Sequence, residues 1–246
     1  MTRHLNWHSA ACTHGGKVRE CNEDGYFNHS PAGLWAVADG LGGYQNGDLA
    51  SRMVIEALSS LTDTEDAGPL SLYQRQLALH QVLERVNRHL GCEKTLHGSQ
   101  AIGSTVAALL LSPQGNAVCL WAGDSRCYLL RRRRLYQITQ DHSLVQKLIE
   151  QRRISRREAG SHPQRHVLTR AIGGAPELAL ETVELELERG DRLLLCTDGL
   201  YRELGEEQMV AGLCLDTPGA AVTHLATEVL RGPATDNLTA LAVFVS

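Results

Sequence analysis

Aromatic residues and long apolar runs are scarce in this sequence of 246 residues. Phe, Trp and Tyr make up 4% of it, so platforms that stack nucleic-acid bases are not expected. The net charge of -4 argues against a surface dedicated to nucleic acid or anionic lipid. No apolar run approaches the ~20 residues that span a bilayer, and the first residues lack the apolar stretch of a signal peptide. We therefore expect a soluble, cytoplasmic protein without nucleic-acid or membrane partners.

Paired-cysteine motifs are also missing. The seven cysteines are an odd number and form no CxxC motif. This pattern predicts reduced thiols, most of them buried, instead of a disulfide framework or a zinc site.

Strands joined by tight turns and helices in pairs dominate the apolar pattern. Strands are predicted at 34–39, 104–111, 116–122, 125–131, 181–188, 191–197 and 238–245. Helices are predicted at 47–61, 70–91, 142–153, 155–160, 206–214 and 217–231, with a polar loop at 62–69 and with Gly91 ending the second helix. Consecutive hairpins favour antiparallel sheets, so the pattern predicts an α+β fold with helices covering packed sheets.

Three aspartates lie at the edges of apolar strands. Asp39 in VADGLGG and Asp198 in LLLCTDGL close such runs, and Asp236 in ATDNLTALAVFV opens one. Three carboxylates can converge only if cations neutralise them, and hard divalent ions prefer oxygen ligands. Gly40 is flexible enough to turn its carbonyl toward such an ion, and Asp124 in AGDSRCY adds a fourth carboxylate. Taken singly, each of these residues also fits an ordinary turn.

A charged segment near the N-terminus, GKVRECNEDGYF, offers a phosphate ligand. The planar fork of Arg19 suits bidentate phosphate binding, and Glu23 and Asp24 could orient waters bound to a metal. A solvated charged loop is the alternative interpretation.

Seven motifs occur in a characteristic order: RECNED, ADGLGGYQNGDLAS, GST, AGDSRCYLL, TQDHSL, LLLCTDGL and TDNLTAL. Together they resemble the metal-dependent Ser/Thr protein phosphatases of the PPM type, the type 2C family, in its bacterial branch. The resemblance runs from about residue 10 to the C-terminus. It implies one phosphatase domain over 1–246, folded as a four-layer α-β-β-α sandwich of two antiparallel sheets flanked by helix pairs, with a flap at 142–172.

The resemblance also implies a site. Asp39 would bridge two Mn²⁺ or Mg²⁺ ions with help from the Gly40 carbonyl, and Asp198 and Asp236 would complete the pair. Asp124, with Asp198, would support a weaker third ion, and Arg19 would hold the substrate phosphate. A hydroxide bridging the two ions would attack phosphoserine or phosphothreonine in line.

Other implications concern the leaving group and the partners. Animal members carry a histidine where this chain has Leu41, and bacterial members have an apolar residue there. The group that protonates the leaving oxygen is therefore unassigned. We expect a metal-bound water in that role. The resemblance implies phosphorylated Ser/Thr proteins as substrates and an opposing Ser/Thr kinase. We expect the chain to act as a monomer.

Two alternative functions remain open, and a run of four arginines has a second interpretation. Cys196 to Arg202 fits CxxGxxR, the loop of cysteine-dependent phosphatases, although Asp198 inside it would repel both thiolate and phosphate. A phosphatase-fold regulator or scaffold with weak activity is the second alternative. Arg131 to Arg134 are expected to form a solvated turn, with contact to acidic substrates as the other interpretation.

Overall fold

Two antiparallel sheets form the middle of the molecule in the computed structural model, which describes residues 4–42, 46–62, 70–97 and 102–246. In chain order the strands are β1 Trp7–His14, β2 Asp24–His29, β3 Leu34–Leu41, β4 Gly103–Ser104, β5 Val106–Leu111, β6 Asn116–Ala122, β7 Arg126–Arg131, β8 Arg134–Gln137, β9 Glu181–Glu186, β10 Arg192–Cys196 and β11 Leu238–Val245. One sheet has the order β1-β11-β10-β7-β8. The other has the order β2-β3-β5-β6-β9, with the short β4 beside β3.

Helices cover the outer face of each sheet. In chain order the helices are α1 Asn46–Ser59, α2 Leu72–His97, α3 Leu144–Glu150, α4 Arg156–Gly160, α5 Asp198–Tyr201, α6 Glu206–Leu213 and α7 Pro218–Arg231. Helices α1 and α2 pack on the sheet that contains β3, and α6 and α7 pack on the sheet that contains β11. The predicted α-β-β-α sandwich is therefore confirmed. No helix within the described ranges is both long enough and apolar enough to cross a membrane.

Side chains that alternate between the two faces of the strands divide the apolar core into three layers. On β3, Trp35 and Val37 point between the sheets, whereas Leu34, Ala36 and Ala38 point to the helices. Side chains of a strand alternate between its faces, so a strand buried on both faces reads as one continuous apolar run. This burial fixes the end of β3, where Asp39 lies.

The sequence placed most elements correctly but missed weakly patterned ones. Helix α2 continues through Gly91 to His97, so the predicted stop was wrong. A glycine inside a helix costs only about 1 kcal/mol, and the buried Leu79, Leu83 and Leu90 offset that cost. Strands β1, β2 and β8 were not predicted, because most of their residues are half-buried or exposed. Of the predicted loop at 62–69, residues 63–69 lie outside the described part of the chain.

The segment 142–172, which we call the flap, is anchored to the sheets at both ends. His142 donates its backbone N–H to the Gly123 carbonyl over 2.9 Å. Ile172 and Ser104 exchange backbone hydrogen bonds of 2.8 and 3.0 Å. Between these anchors lie the short helices α3 and α4, and most residues from 151 to 167 are exposed, so the flap is a surface segment beside the sandwich.

Candidate metal centre

Carboxylates from both sheets surround Asp39. Asp39 lies near the end of β3, directly opposite Asp24 on β2. Asp198 begins α5 after β10, Asp236 precedes β11, and Asp124 lies in the turn between β6 and β7. The structure thus brings together the three aspartates singled out in the sequence, with Asp24 and Asp124 beside them.

The electrostatic environment of Asp39 is unfavourable for a negative charge. Burial raises the pKa of the Asp39 carboxyl well above its usual range, and Asp24, Asp198, Asp124 and Asp236 raise it further. Among the described residues, no lysine or arginine forms a salt bridge with Asp39. A carboxylate in this position therefore needs a cation from elsewhere to remain ionised.

Asp24 ties the two sheets together beside Asp39. Its Oδ2 accepts hydrogen bonds from the hydroxyls of Thr197, 2.7 Å away, and Thr239, 2.8 Å away. Burial raises the pKa of Asp24 to about 7, against the lowering effect of the two hydroxyls. Sequence reasoning gave Asp24 a peripheral place, and the structure puts it at the junction of the sheets.

Asp124 is held in a buried turn. The backbone N–H of Gly123 donates to Nδ1 of His142 over 3.2 Å, and that ring stacks on Trp121. Burial, together with Asp198, raises the pKa of Asp124 to about 7 even though Arg202 opposes the shift. His142 belongs to the TQDHSL motif, so this motif supports the turn that carries Asp124.

Asp198 begins α5 and is followed by Gly199, a position with no room for a side chain. A Cβ on Gly199 would lie 1.9 Å from the carbonyl oxygen of Asn237, so the residue after Asp198 must be glycine. The Arg202 guanidinium lies 2.6 Å from Oδ2 of Asp198. Burial nevertheless raises the pKa of Asp198 above its ordinary value.

Arg19 reaches the site from the loop before β2. Its guanidinium pairs with both carboxylate oxygens of Asp236, at 2.8 and 3.0 Å, and its side chain is 54% exposed. Asn237 holds this loop in place: its Nδ2 donates to the carbonyls of Gly15 and Cys21, and its Oδ1 accepts from the N–H of Glu23. An arginine this accessible can exchange its carboxylate partner for a phosphate.

Gly40 and Glu23 pack tightly against the start of α1. A Cβ on Gly40 would lie 2.0 Å from the Gly47 carbonyl oxygen, which explains the glycine after Asp39. The Glu23 carboxylate accepts a hydrogen bond from the backbone of Gly47, and burial raises its pKa. Both predicted residues therefore border the carboxylate cluster.

The donor set fits hard divalent cations. The cluster offers carboxylate oxygens, which Mg²⁺ and Mn²⁺ prefer, and carries more negative charge than its arginines neutralise. Within the described ranges, no group of three or more acidic, histidine or cysteine side chains is arranged to hold a metal ion. Arg202 and Arg19 engage Asp124, Asp198 and Asp236 instead.

A cleft of about 1030 Å³ opens beside the cluster. It is bounded by Asp124, Asp236, Arg202 and the flap residues Arg165 and His166. Burial and nearby Arg202 lower the pKa of His166. The cleft therefore reaches two carboxylates of the cluster, those of Asp124 and Asp236.

The alternative based on a cysteine nucleophile is contradicted. Cys196 has no exposed surface and points from β10 into the apolar layer under the helices. Burial raises the pKa of its thiol far above the ordinary value, so no thiolate forms at neutral pH. The Arg202 that completes the CxxGxxR pattern is bound to Asp124 and Asp198.

Sequence reasoning missed the roles of three residues that shape the site. Thr197 and Thr239 each lie within quoted motifs but carried no signal of their own, since threonines are common in strands. Arg202 follows Asp198 by four residues, the spacing of an ion pair on one helical turn, and that spacing was the available clue.

Comparisons with known proteins agree with this geometry. Residues 15–237 match the family described as "Protein phosphatase 2C". The serine/threonine protein phosphatase PstP of Mycobacterium tuberculosis is 38% identical over 240 residues, which are 96% of this chain and 44% of PstP. This chain thus spans less than half the length of that relative.

Two solved structures are similar throughout. PppA, described as a key regulatory component of T6SS in Pseudomonas aeruginosa, has a TM-score of 0.89, 37% identity and 98% coverage of both chains. The catalytic domain of PstP in complex with 2 manganese ions has a TM-score of 0.84 and 33% identity, covering 98% of this chain and 99% of that one.

Proposed function

Because this chain belongs to the protein phosphatase 2C family, we propose that it hydrolyses phosphoserine and phosphothreonine in proteins with the help of Mn²⁺ or Mg²⁺. The observation that carries the proposal is the cluster of aspartates from both sheets around Asp39, with an exposed arginine at its rim. Carboxylates buried together in this way are costly to a fold unless they hold cations.

We assign the metal ligands to residues around Asp39. Asp39 would lie between two ions, with Asp198, Asp236 and the Gly40 carbonyl as further ligands. Glu23 and Asp24 would orient the ligands and their waters from behind. Two bound divalent ions would supply charge neutralisation and an activated water for in-line attack.

Arg19 would bind the phosphate. Its side chain is 54% exposed and pairs with Asp236, which supports this role because Asp236 is one of the proposed ligands. A bidentate grip on two phosphate oxygens would orient the phosphorus toward the cluster, so positioning and electrostatics are the protein's share of catalysis.

The direct test is hydrolysis of a phosphothreonine peptide by the purified chain. We expect turnover with Mn²⁺, none with EDTA, and loss of at least roughly a hundredfold in Asp39→Ala and Asp236→Ala. Asp216→Ala, at an exposed aspartate outside the cluster, is the matched control and should retain full activity.

A cysteine mechanism predicts the reverse, with activity in EDTA and its loss in Cys196→Ser. Full-rate turnover by Asp39→Ala would contradict the metal assignment. No hydrolysis of the peptide or of p-nitrophenyl phosphate with ample Mn²⁺ would favour a regulator or scaffold.

We further propose that residues 1–246 act as one phosphatase domain, with 142–172 as its flap. In this proposal the domain works as a monomer in the cytoplasm and opposes a Ser/Thr kinase. Comparing phosphoproteomes with and without the protein would identify its substrates, and analytical ultracentrifugation would give its oligomeric state.

A further inference from the structure

Arg202 lies between two of the acidic side chains. One guanidinium nitrogen is 2.6 Å from Oδ2 of Asp198, and another is 3.1 Å from Oδ2 of Asp124. The side chains of these aspartates are only 12% and 6% exposed, and that of Arg202 is 24% exposed. This arginine thus bridges the pair of carboxylates for which the family resemblance implies a third metal ion.

The position of Arg202 is fixed from two sides. Its place four residues after Asp198 directs the side chain along the single turn of α5. On the flap side the guanidinium contacts Nδ1 of His166 and the carbonyl of Arg165. Arg19, by contrast, is 54% exposed, so it can leave its carboxylate when a phosphate arrives.

We propose that the guanidinium of Arg202 takes the place of a third metal ion, so that this chain binds two ions and not three. The inference rests on the proposed function, because it assumes that the cluster binds metal. A guanidinium is permanently charged, donates to the oxygens that a metal would need, and repels a divalent ion placed beside it.

Charge balance supports the same conclusion. Two divalent ions, Arg202 and Arg19 carry six positive charges. These match the charges of the six carboxylates around the site when all are ionised, which are those of Glu23, Asp24, Asp39, Asp124, Asp198 and Asp236. A third divalent ion would leave the site with an excess of positive charge.

The test counts bound Mn²⁺ by equilibrium dialysis followed by elemental mass spectrometry. We expect two ions per wild-type chain and two in Arg202→Lys, which keeps the charge. Arg202→Gln should bind three, because it frees Asp124 and the Oδ2 atom of Asp198. Arg132→Gln, which removes a charge from a side chain that is 85% exposed, is the control and should bind two.

A double variant locates the additional ion. Adding Asp124→Asn to Arg202→Gln should return the count to two, and this variant also avoids an unpaired buried carboxylate if Arg202→Gln folds poorly. Three ions in the wild type, or two in a folded Arg202→Gln, would overturn the inference and leave the proposed function intact. A wild-type chain that binds no Mn²⁺ would overturn both.

Discussion

Thr239 on β11 donates a 2.8 Å hydrogen bond from its hydroxyl to Oδ2 of Asp24 on β2, and so joins one sheet to the other. Thr197, next to Asp198, donates to the same oxygen over 2.7 Å. Because Asp24 is the cross-strand partner of Asp39, this junction fixes the spacing between carboxylates that belong to different sheets. The site therefore depends on how the sheets are joined as much as on its own ligands.

Asp24 should make the stability of the metal-free protein depend on pH. Its pKa of about 7 in the folded chain exceeds the ordinary aspartate pKa of about 3.9, so the folded state binds the proton more tightly. The contribution of Asp24 to the free energy of unfolding should then be greatest below about pH 4. This contribution should fall as the pH rises to about 7. Thermal unfolding in EDTA across this range measures the effect.

Asp24→Asn is the variant that isolates this contribution, since its amide oxygen can still accept from Thr197 and Thr239. It should lose less stability than the wild type between about pH 4 and about pH 7 in EDTA. Asp216→Asn, at an exposed position, should behave like the wild type. Identical pH profiles for wild type and Asp24→Asn would contradict the assigned pKa.

Asn237 is expected to act as a positioning residue for Arg19. Asn237→Ala removes two bonds to the carbonyls of Gly15 and Cys21 and one from the N–H of Glu23. The loop that carries Arg19 should loosen, so KM for a phosphopeptide should rise roughly tenfold, equivalent to about 1.4 kcal/mol, with a smaller change in kcat. Steady-state kinetics in Mn²⁺ decide this, and an unchanged KM would show that the loop is held by other contacts.

The turn between β7 and β8 should be improvable without loss of activity. Arg132 and Arg133 occupy it with φ of 52° and 64°, values that suit Asn-Gly in a two-residue hairpin turn. Replacing Arg132 by Asn and Arg133 by Gly should therefore raise the free energy of unfolding by about 1 kcal/mol. Chemical denaturation is the measurement. A drop in kcat/KM on an acidic phosphopeptide would instead favour a role in substrate contact.

Arg131, the first arginine of the same run, should respond in the opposite way. It forms a two-pronged ion pair with Asp191, at 2.8 and 2.6 Å, and the Asp191 side chain is only 2% exposed. Arg131→Gln should lower the free energy of unfolding by about 2–3 kcal/mol, because it leaves a buried carboxylate without its partner. A loss below about 0.5 kcal/mol, the range of ordinary surface changes, would contradict this assignment.

The sequence was most informative for functional residues that border a buried strand. Asp39, Asp198 and Asp236 stand out because each borders an apolar run that forms a buried strand, and the ends of such strands are fixed by the core. Arg202 and Thr239 could not be assigned in this way, since their roles depend on contacts across the fold. Strand β2 was missed because its residues are partly exposed, although it brings Asp24 to the site.

The most direct test of the central claim is anomalous diffraction from crystals soaked in MnCl₂. Two manganese peaks should appear within coordination distance of Asp39, with Asp198 and Asp236 as further ligands and with Arg202 still bound to Asp124. Carboxylates that remain apart, with no anomalous peak between them, would contradict the metal-dependent mechanism proposed for this chain.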